Sequence, residues 1–381
     1  MSHTTDVIVV GLGAMGSAAL FHLAQRGVRV MGFDRYGPPH TLGSTHGLSR
    51  IIRESYYEHP HYVPLVQRAY ELWFDLERRS ARRLFRQTGG LMIGSESGVL
   101  VSGALRSARE HELPHELLSA TEVHRRFPGF VLPDQMSGFF EPRAGILDPE
   151  GCVDVHLGLA VEAGAEVHGN EPVLEWDANG DRIRVVTESG EYDAGRMALC
   201  AGAWNQKLID DDEISLRVER QVMNWFTPAR DAELFTPARC PIAMVEYTTD
   251  RIFYFVPDSG DGVKAAIHHE GEVTDPDRVR REITEEDVAP AERMLRTFLP
   301  AAAGRHRASA VCLYTNTPDG HFLLTPHSRT SDVLIVSACS GHGFKFASAI
   351  GEAVADLVMG LPRADLAPFG RQRNFADQPR A

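Results

Sequence analysis

The stretch Asp6–Asp34, DVIVVGLGAMGSAALFHLAQRGVRVMGFD, constrains the fold more than any other part of the sequence. Its apolar start, VIVV, predicts a buried parallel strand, because such strands are covered on both faces and read as continuous β-branched runs. Gly11, Gly13 and Gly16 follow at G-x-G-x-x-G spacing. A helix and a second strand are predicted next, and Asp34 stands at the end of that strand. This predicted helix and strand cover residues 14–26 and 28–33.

Each glycine of this motif has a physical role. Gly11 allows a tight turn, Gly13 lets the backbone approach a pyrophosphate, and Gly16 lets the helix pack closely on the strand. The helix N-terminus offers N–H groups to the pyrophosphate, and Asp34 is placed to accept a hydrogen bond from a ribose hydroxyl. Glycine-rich turns also match the motif by chance, but here a strand precedes the glycines, and a helix, a second strand and a terminal acid follow them in the sequence that the motif requires. The stretch therefore predicts dinucleotide binding, without choosing between NAD and FAD.

Composition sets the class of protein. With 381 residues and 43% hydrophobic content, the chain can form one or two well-filled domains. The net charge of −13 argues against nucleic-acid and anionic-membrane partners. No apolar run approaches the roughly 20 residues that span a bilayer, and a strand starting near residue 6 leaves no room for a signal peptide. Five scattered cysteines fit reduced thiols, so we expect a cytoplasmic protein.

A metal site is not expected. The run His111-Glu112-Leu113-Pro114-His115 matches the H-E-x-x-H zinc motif, which needs both histidines on one face of a continuous helix. Pro114 would break such a helix. The match is therefore interpreted as a chance one in a surface loop.

Two arginines end the glycine- and proline-rich loop that follows Asp34. Arg50 and Arg53 are three residues apart and could share one helix face. Surface ion pairing would explain them. The alternative is that one binds phosphate or flavin and the other binds a substrate carboxylate through a bidentate fork. The loop alone does not decide between these interpretations.

Residues 216–300 alternate in the manner of an antiparallel sheet. Lys264, Ala266 and His268 fall on one strand face, and Tyr254 lies on a neighbouring predicted strand. Such a face is either solvated or the wall of a cavity, and base rates favour the solvated face.

The segment CSGHGFKFASAIGEAVADLVMG predicts a glycine turn that opens a helix of about 15 residues. Gly341 and Gly343 precede this helix, so its N-terminus can bind an anion. In a flavoenzyme the helix dipole and Lys345 would stabilise the negative charge that develops on the reduced ring. The alternative is a capped core helix without a ligand, and the combination with His342 favours the site.

Several of these stretches carry a family resemblance. VVGLGAMGSAA, PPHTLGSTHGLSRIIR, YVPLVQRAYELW, CLYTNTPDGHF and SGHGFKF resemble the monomeric sarcosine oxidase and N-methyltryptophan oxidase family of FAD-dependent amine oxidases, which belongs to the glycine-oxidase-like, DAO-type superfamily. The resemblance spans the whole chain. The expected fold is α/β, with the α+β arrangement of two separate domains. One is a Rossmann-like FAD-binding domain, and the other is an antiparallel-sheet substrate domain. The first comprises residues 1–80, 148–215 and 310–381, and the second 81–147 and 216–309.

The resemblance also implies roles for single residues. Cys312 matches the cysteine that holds FAD covalently through an 8α-S-cysteinyl thioether. Arg53 and Lys345 match the pair that binds the substrate carboxylate. Lys264 matches the lysine that activates oxygen, and His268 and Tyr254 match residues that line the substrate cavity. Ser44, His46 and Arg50 match positions near the cofactor.

The implied reaction is the oxidation of a secondary amino acid, either N-methylated or cyclic. A hydride equivalent passes to flavin N5, the imine is hydrolysed, and O2 is reduced to H2O2. The partners would be the small amine and O2, and the protein would be a monomer. The family's usual Gly-Asp-Thr-Arg is replaced by Gly47-Leu48-Ser49-Arg50, which leaves the substrate open. The alternatives are a flavin dehydrogenase with another electron acceptor and a non-catalytic dinucleotide-binding protein.

Overall fold

The computed structural model describes residues 3–180 and 182–373. The helices in this part of the chain are α1 (Ala14–Gln25), α2 (Tyr62–Ser80), α3 (Val99–Glu110), α4 (Ala120–Arg126), α5 (Pro149–Glu162), α6 (Asn205–Leu208), α7 (Glu285–Phe298) and α8 (Ala347–Val358).

The strands are, in order, β1 (His3–Val10), β2 (Val30–Phe33), β3 (Arg50–Ile52), β4 (Phe85–Gln87), β5 (Gly90–Gly94), β6 (Glu116–Ser119), β7 (Ser137–Glu141), β8 (Gly145–Leu147), β9 (Glu166–His168), β10 (Val173–Asn179), β11 (Arg182–Thr187), β12 (Glu191–Leu199), β13 (Arg217–Phe226), β14 (Ile242–Thr248), β15 (Arg251–Val256), β16 (Val263–His268), β17 (Glu272–Val273), β18 (His306–Asn316), β19 (Leu323–His327) and β20 (Thr330–Ser337).

The first sheet is built around β1. It pairs in parallel with β12 and β2, while β20 pairs in parallel with β12 and β9 with β2. Ile8 and Val9 are fully buried, as a strand covered on both faces requires. Helix α1 contacts α5 and α8 beside this sheet. The predicted Rossmann-like α/β architecture is confirmed.

The glycine motif forms the predicted close approach of helix and strand. A Cβ on Gly16 would overlap the carbonyl of Gly11 and lie 3.2 Å from the Cβ of Cys200. Gly11 itself has φ +88°, a left-handed conformation that side chains resist. The first turn of α1 therefore depends on both glycines.

The second sheet is largely antiparallel and runs in the order β17-β13-β16-β15-β14-β5-β7-β6, with β18 also paired to β13. Tyr254 lies opposite Ala266, so Tyr254 shares a face with Lys264 and His268. Cys312 lies opposite Gln221 on β13. This register brings residues from distant parts of the chain onto one side of the sheet.

A small third sheet has the strand order β3-β8-β4. Its strand β3 begins at Arg50 and ends one residue before Arg53. A strand rises about 3.3 Å per residue, so the two arginines leave the sheet at opposite ends of β3.

Capping boxes set the start of two helices. Helix α4 begins after Ser119, whose hydroxyl accepts from the Glu122 backbone N–H in a capping box. Helix α7 begins at Glu285, after a capping box on Thr284. Pro290 therefore lies inside α7. In both cases an upstream Ser or Thr three residues before an acid set the start.

Helix α3 ends at Glu110, directly before the H-E-x-x-H match, and Glu112 has φ +52°. The two histidines of that match are thus not on a common helix face. Over the described residues, no helix is both long and apolar enough to cross a membrane.

The crossing of α1 and α8 depends on Gly351. A Cβ there would lie 2.6 Å from the backbone carbonyl carbon of Ala18, and Ala18 is fully buried. We expect Gly351→Ala to lower the free energy of unfolding by about 1–3 kcal/mol, because a packed backbone cannot move aside without strain.

Gly158→Ala on α5 is the matched control, since nothing lies within 4 Å of a Cβ at that exposed position. It should be neutral or stabilising by roughly 0.5–1 kcal/mol through helix propensity. Thermal and urea unfolding of both variants give the comparison, and equal stabilities would contradict this account of the helix crossing.

Candidate active site

One cavity of ≈ 540 Å³ is lined by both sheets and by the loops that join them. Most of the predicted site residues line it: Gly11, Gly13, Asp34, Ser44, Arg50, Arg53, Tyr254, Lys264, His268, Cys312, Gly341, Gly343 and Lys345. Gly16 and His46 do not line it. The structure therefore brings together side chains that are more than 300 positions apart in the sequence.

At one end of the cavity, Asp34 fixes the glycine turn. Its carboxylate accepts the backbone N–H of Leu12 at 2.7 Å and that of Tyr36 at 2.9 Å. His40 Nε2 lies 3.5 Å from the same carboxylate. Asp34 thus holds the turn that precedes α1, in addition to facing the cavity.

Cys312 lies on β18 at another part of the cavity wall, and 3% of its surface is exposed. Its Sγ is 3.6 Å from an Arg50 guanidinium nitrogen and 3.6 Å from the carbonyl oxygen of Ser44. Arg50 also donates to the carbonyls of Ser44 at 2.7 Å and Ser49 at 2.8 Å. The arginine is therefore held by backbone oxygens beside the sulfur, and no carboxylate of the described residues forms an ion pair with it.

Lys264 is buried on β16, and backbone oxygens surround its amine. Nζ donates to the carbonyls of Gly47 at 3.0 Å and Ser49 at 2.7 Å, and it lies 3.1 Å from the Ser49 hydroxyl. Burial, with Arg50 nearby, holds the pKa of Lys264 well below its usual range. Because a hydroxyl both donates and accepts, Ser49 can serve the amine in either protonation state.

Arg53 is fully buried and bound to a carboxylate of the same loop. One of its guanidinium nitrogens lies 2.8 and 2.7 Å from the two oxygens of Glu58, and the other donates to the Ser55 carbonyl at 3.1 Å. The rings of Tyr56 and Tyr57 lie 4.2 and 4.7 Å from the guanidinium carbon. Burial alone would lower the pKa of Arg53, but Glu58 raises it, so this arginine stays charged.

Lys345 lies in the turn before α8 and ends a chain of hydrogen bonds. Nζ donates to the His342 carbonyl at 2.6 Å and to the Tyr56 hydroxyl at 3.2 Å. That hydroxyl lies 2.6 Å from His342 Nδ1, while Nε2 of the same ring lies 3.1 Å from the Gly320 carbonyl. Since Nε2 must donate to the carbonyl, Nδ1 accepts from Tyr56. Burial, followed by the charge of Arg53, lowers the pKa of Lys345 to about 7.

His268 faces the cavity from the end of β16. Its Nδ1 lies 3.2 Å from the hydroxyl of Tyr314 on β18. Burial, with His269 nearby, holds the pKa of His268 well below its usual range, and burial raises the pKa of Tyr254 and of Tyr314. These three side chains are therefore neutral hydrogen-bonding groups on one wall.

His46 is buried behind the cavity wall. Burial, with Arg50 nearby, lowers its pKa to about 4. Its Nε2 has no hydrogen-bond partner within residues 3–180 and 182–373. The imidazole is therefore neutral and packs behind the loop that carries Arg50.

Sequence reasoning missed three residues of this site. Glu58 carried no signal, because an acid five residues after an arginine in an irregular loop has no fixed geometry. Tyr56 lies in the same loop. Tyr314 lies inside the CLYTNTPD stretch, so the period-2 alternation around Cys312 could have placed it on the same strand face.

Residues 6–357 match the family described as DAO, FAD dependent oxidoreductase. The chain is 43% identical to the monomeric sarcosine oxidase of Streptomyces avermitilis, over 94% of each chain. It is 33% identical to an N-methyl-L-tryptophan oxidase of Yersinia pestis, over 97% of this chain and 99% of the relative. The solved structure of NikD, described as an unusual amino acid oxidase essential for nikkomycin biosynthesis, matches with a TM-score of 0.85 and 25% identity over 100% of both chains.

The chain therefore belongs to the DAO family of FAD-dependent oxidoreductases. Within it, the monomeric sarcosine oxidases and N-methyltryptophan oxidases are close homologues, which confirms the resemblance drawn from the sequence motifs.

The residues of the cavity fit FAD. The N-cap residue of helix α1 is Gly13, which has no side chain to cap the helix, and the first turn contains no acid. The Thr45 hydroxyl accepts the Ala14 N–H at 3.3 Å, and Gly13 and Met15 at that end line the cavity. N–H groups at a helix N-terminus suit a pyrophosphate. Asp34 and Cys312 line the same cavity, so the residue expected at the ribose and the residue expected at the flavin face one space.

Proposed function

We propose that the protein is an FAD-dependent amine oxidase that acts on a secondary amino acid, N-methylated or cyclic, at its C–N bond. The products would be an imine, which water hydrolyses, and H2O2 from O2. The observation that carries this proposal is the presence of Arg53, Lys345, Lys264 and Cys312 on the wall of one cavity. Two cations suit a substrate carboxylate, and the other two residues suit oxygen chemistry and cofactor attachment.

A substrate carboxylate would exchange with Glu58. Arg53 already holds a carboxylate in a close ion pair, and Glu58 lines the cavity as well. A buried arginine stripped of its partner would be strongly destabilised. Exchange of one carboxylate for another keeps Arg53 paired, and it places the substrate between the two cations.

We propose that FAD is held by the first turn of α1, by Asp34 and Ser44, and by a thioether to Cys312. When bound, FAD accepts the two electrons of the substrate and passes them to O2. Lys264 would stabilise the negative charge that oxygen gains with its first electron. The neutral wall of His268, Tyr254 and Tyr314 would hold the uncharged amine and exclude water from it.

We also propose a division into domains, a cellular location and an oligomeric state. The segments 1–80, 148–215 and 310–381 would form the FAD-binding domain, and 81–147 and 216–309 the substrate domain. The five cysteines are free, which supports a cytoplasmic location. The protein would act as a monomer, as its similarity to the monomeric sarcosine oxidase of Streptomyces avermitilis suggests.

The first experiment measures peroxide release by the purified protein in air. Sarcosine, N-methyl-L-tryptophan, L-pipecolate and L-proline would be offered in parallel. We expect peroxide with at least one of them. Flavin bleaching without peroxide, under anaerobic conditions, would instead indicate a dehydrogenase, and a colourless protein would indicate a non-catalytic one.

Covalent attachment is tested by Cys312→Ser. We expect yellow colour to stay with acid-precipitated wild-type protein and to be lost to the supernatant in the variant, because serine cannot form the thioether. Cys339→Ser is the matched control, since Cys339 also lines the cavity. Wild-type flavin that is released by acid would refute the linkage.

Lys345 predicts a pH dependence of carboxylate binding. With a pKa of about 7, the amine is mostly protonated below that pH and mostly neutral above it. The Kd of acetate should be flat in mildly acidic buffer and rise by up to about tenfold per pH unit above the pKa. Acetate avoids the opposing effect of a substrate amine, whose reactive neutral form increases with pH.

The measurement is a titration of the flavin absorbance with acetate from about pH 6 to about pH 9. Lys345→Met should bind acetate more weakly and without this dependence. A wild-type Kd that stays constant over the range would exclude Lys345 from the carboxylate site.

A further inference from the structure

The segment 47–55 carries Arg50, Arg53 and both carbonyls that bind Lys264. We propose that two carboxylates, Glu150 and Glu141, act as positioning residues that fasten this segment at its two ends, and that each controls a different half of the reaction. Glu150 would position the groups around Lys264, and Glu141 would position Arg53. The kinetic part of this inference rests on the proposed function, while its structural part does not.

Glu150 fastens the start of the segment. Its carboxylate accepts the backbone N–H of Gly47 at 2.6 Å and that of Leu48 at 3.2 Å. Gly47 and Leu48 have φ +100° and +66°, and a leucine in this left-handed region costs about 1 kcal/mol or more. The Leu48 side chain is 54% exposed, so packing of that side chain does not explain the conformation. The two hydrogen bonds from the backbone N–H groups to the Glu150 carboxylate explain it instead.

This turn determines where Lys264 finds its acceptors. The carbonyls of Gly47 and Ser49 both face Nζ, and they flank the left-handed Leu48. If the N–H groups of Gly47 and Leu48 lose their acceptor, the turn can relax and the carbonyls can rotate away. Lys264 would then lose its fixed position without any change to its own side chain.

Glu141 fastens the other end. It is 1% exposed at the end of β7, and its two oxygens accept the backbone N–H groups of Glu54 and Ser55 at 2.6 and 2.8 Å. Those amides directly follow Arg53, and the carbonyl of Ser55 accepts from the Arg53 guanidinium. Glu141 therefore fixes the backbone from which Arg53 is held.

The chain contains a third carboxylate with the same kind of contacts. Glu246 accepts the backbone N–H groups of Val99 and Leu100 at 3.3 and 3.1 Å, at the start of α3. Glu246 does not line the cavity. It is a matched control, because its loss removes the same type of hydrogen bond from a place without a role in the site.

The experiment compares Glu150→Gln, Glu150→Asp, Glu141→Gln and Glu246→Gln in the flavin-containing protein. Glutamine keeps one acceptor oxygen and removes the charge. Aspartate keeps the charge and shortens the reach, so it separates electrostatic effects from hydrogen bonding. Amide hydrogen exchange is followed by mass spectrometry in peptides covering 46–50 and 53–57. We expect about tenfold or faster exchange at 47–48 for both Glu150 variants and at 54–55 for Glu141→Gln, as for loss of a buried hydrogen bond.

The kinetic readout separates the two ends. Both Glu150 variants should slow the reaction of the reduced enzyme with O2 by about tenfold and leave acetate affinity and flavin reduction by substrate unchanged. Glu141→Gln should weaken acetate binding and raise KM by about tenfold, with the O2 reaction unchanged. Glu246→Gln should change neither. Glu141→Asp replaces Glu141→Gln if the latter does not fold.

Three results would overturn the inference. The first is unchanged amide exchange in the two peptides, and the second is a Glu150→Asp variant that behaves like wild type. The third is that every variant slows the O2 reaction and weakens carboxylate binding to the same extent. Failure of the proposed function would look different. In that case the wild-type protein would release no peroxide with any amine, while the exchange measurements would still decide whether the two carboxylates fasten the segment.

Discussion

The cavity depends on the burial of positive charge. Arg50, Arg53, Lys264 and Lys345 all line it, and an isolated cation removed from water is costly unless its N–H groups are satisfied. The N–H groups of three of the four side chains donate mainly to backbone carbonyls and hydroxyls. These acceptors solvate a cation without neutralising its charge. Arg53 has a carboxylate partner in Glu58. The wall therefore suits anionic groups such as a pyrophosphate or a carboxylate, and it does so most strongly when Lys264 and Lys345 are protonated.

Solvation of cations by carbonyl oxygens restricts the backbone more than ion pairing would. A carboxylate can reach a cation from many directions on a flexible side chain, whereas a carbonyl moves only with its peptide group. This restriction of the backbone is seen at Gly47 and Leu48, which adopt consecutive left-handed conformations. The turn before α8 is also fixed, because Trp73 donates a hydrogen bond to the Lys345 carbonyl at 2.9 Å. The site is thus held mainly by the conformation of loops, and the sheets supply the frame to which these loops are tied.

The sequence predicted the frame better than the loops. Strand β1, the glycine turn and α1 were predictable because period, glycine spacing and a terminal acid agree there, and the alternation of β16 placed Lys264 and His268 on one face. The register that adds Tyr254 to this face was found only in the structure. The Arg53–Glu58 pair and the Tyr56–His342 contact were not predictable, because they join irregular segments whose approach is set by packing. The motif resemblance located Arg53 and Lys345 without revealing what each one contacts before a ligand arrives.

The cavity wall draws on residues from Val10 to Lys345, and its two sheets are assembled from segments that alternate along the chain. Contacts of such long sequence separation form slowly, since the closure of long loops has to precede them. No partial assembly of the chain would present both Asp34 and Cys312 to the same ligand. Cofactor uptake would therefore follow the completion of folding, and the bound form would mark those molecules whose two sheets have docked correctly.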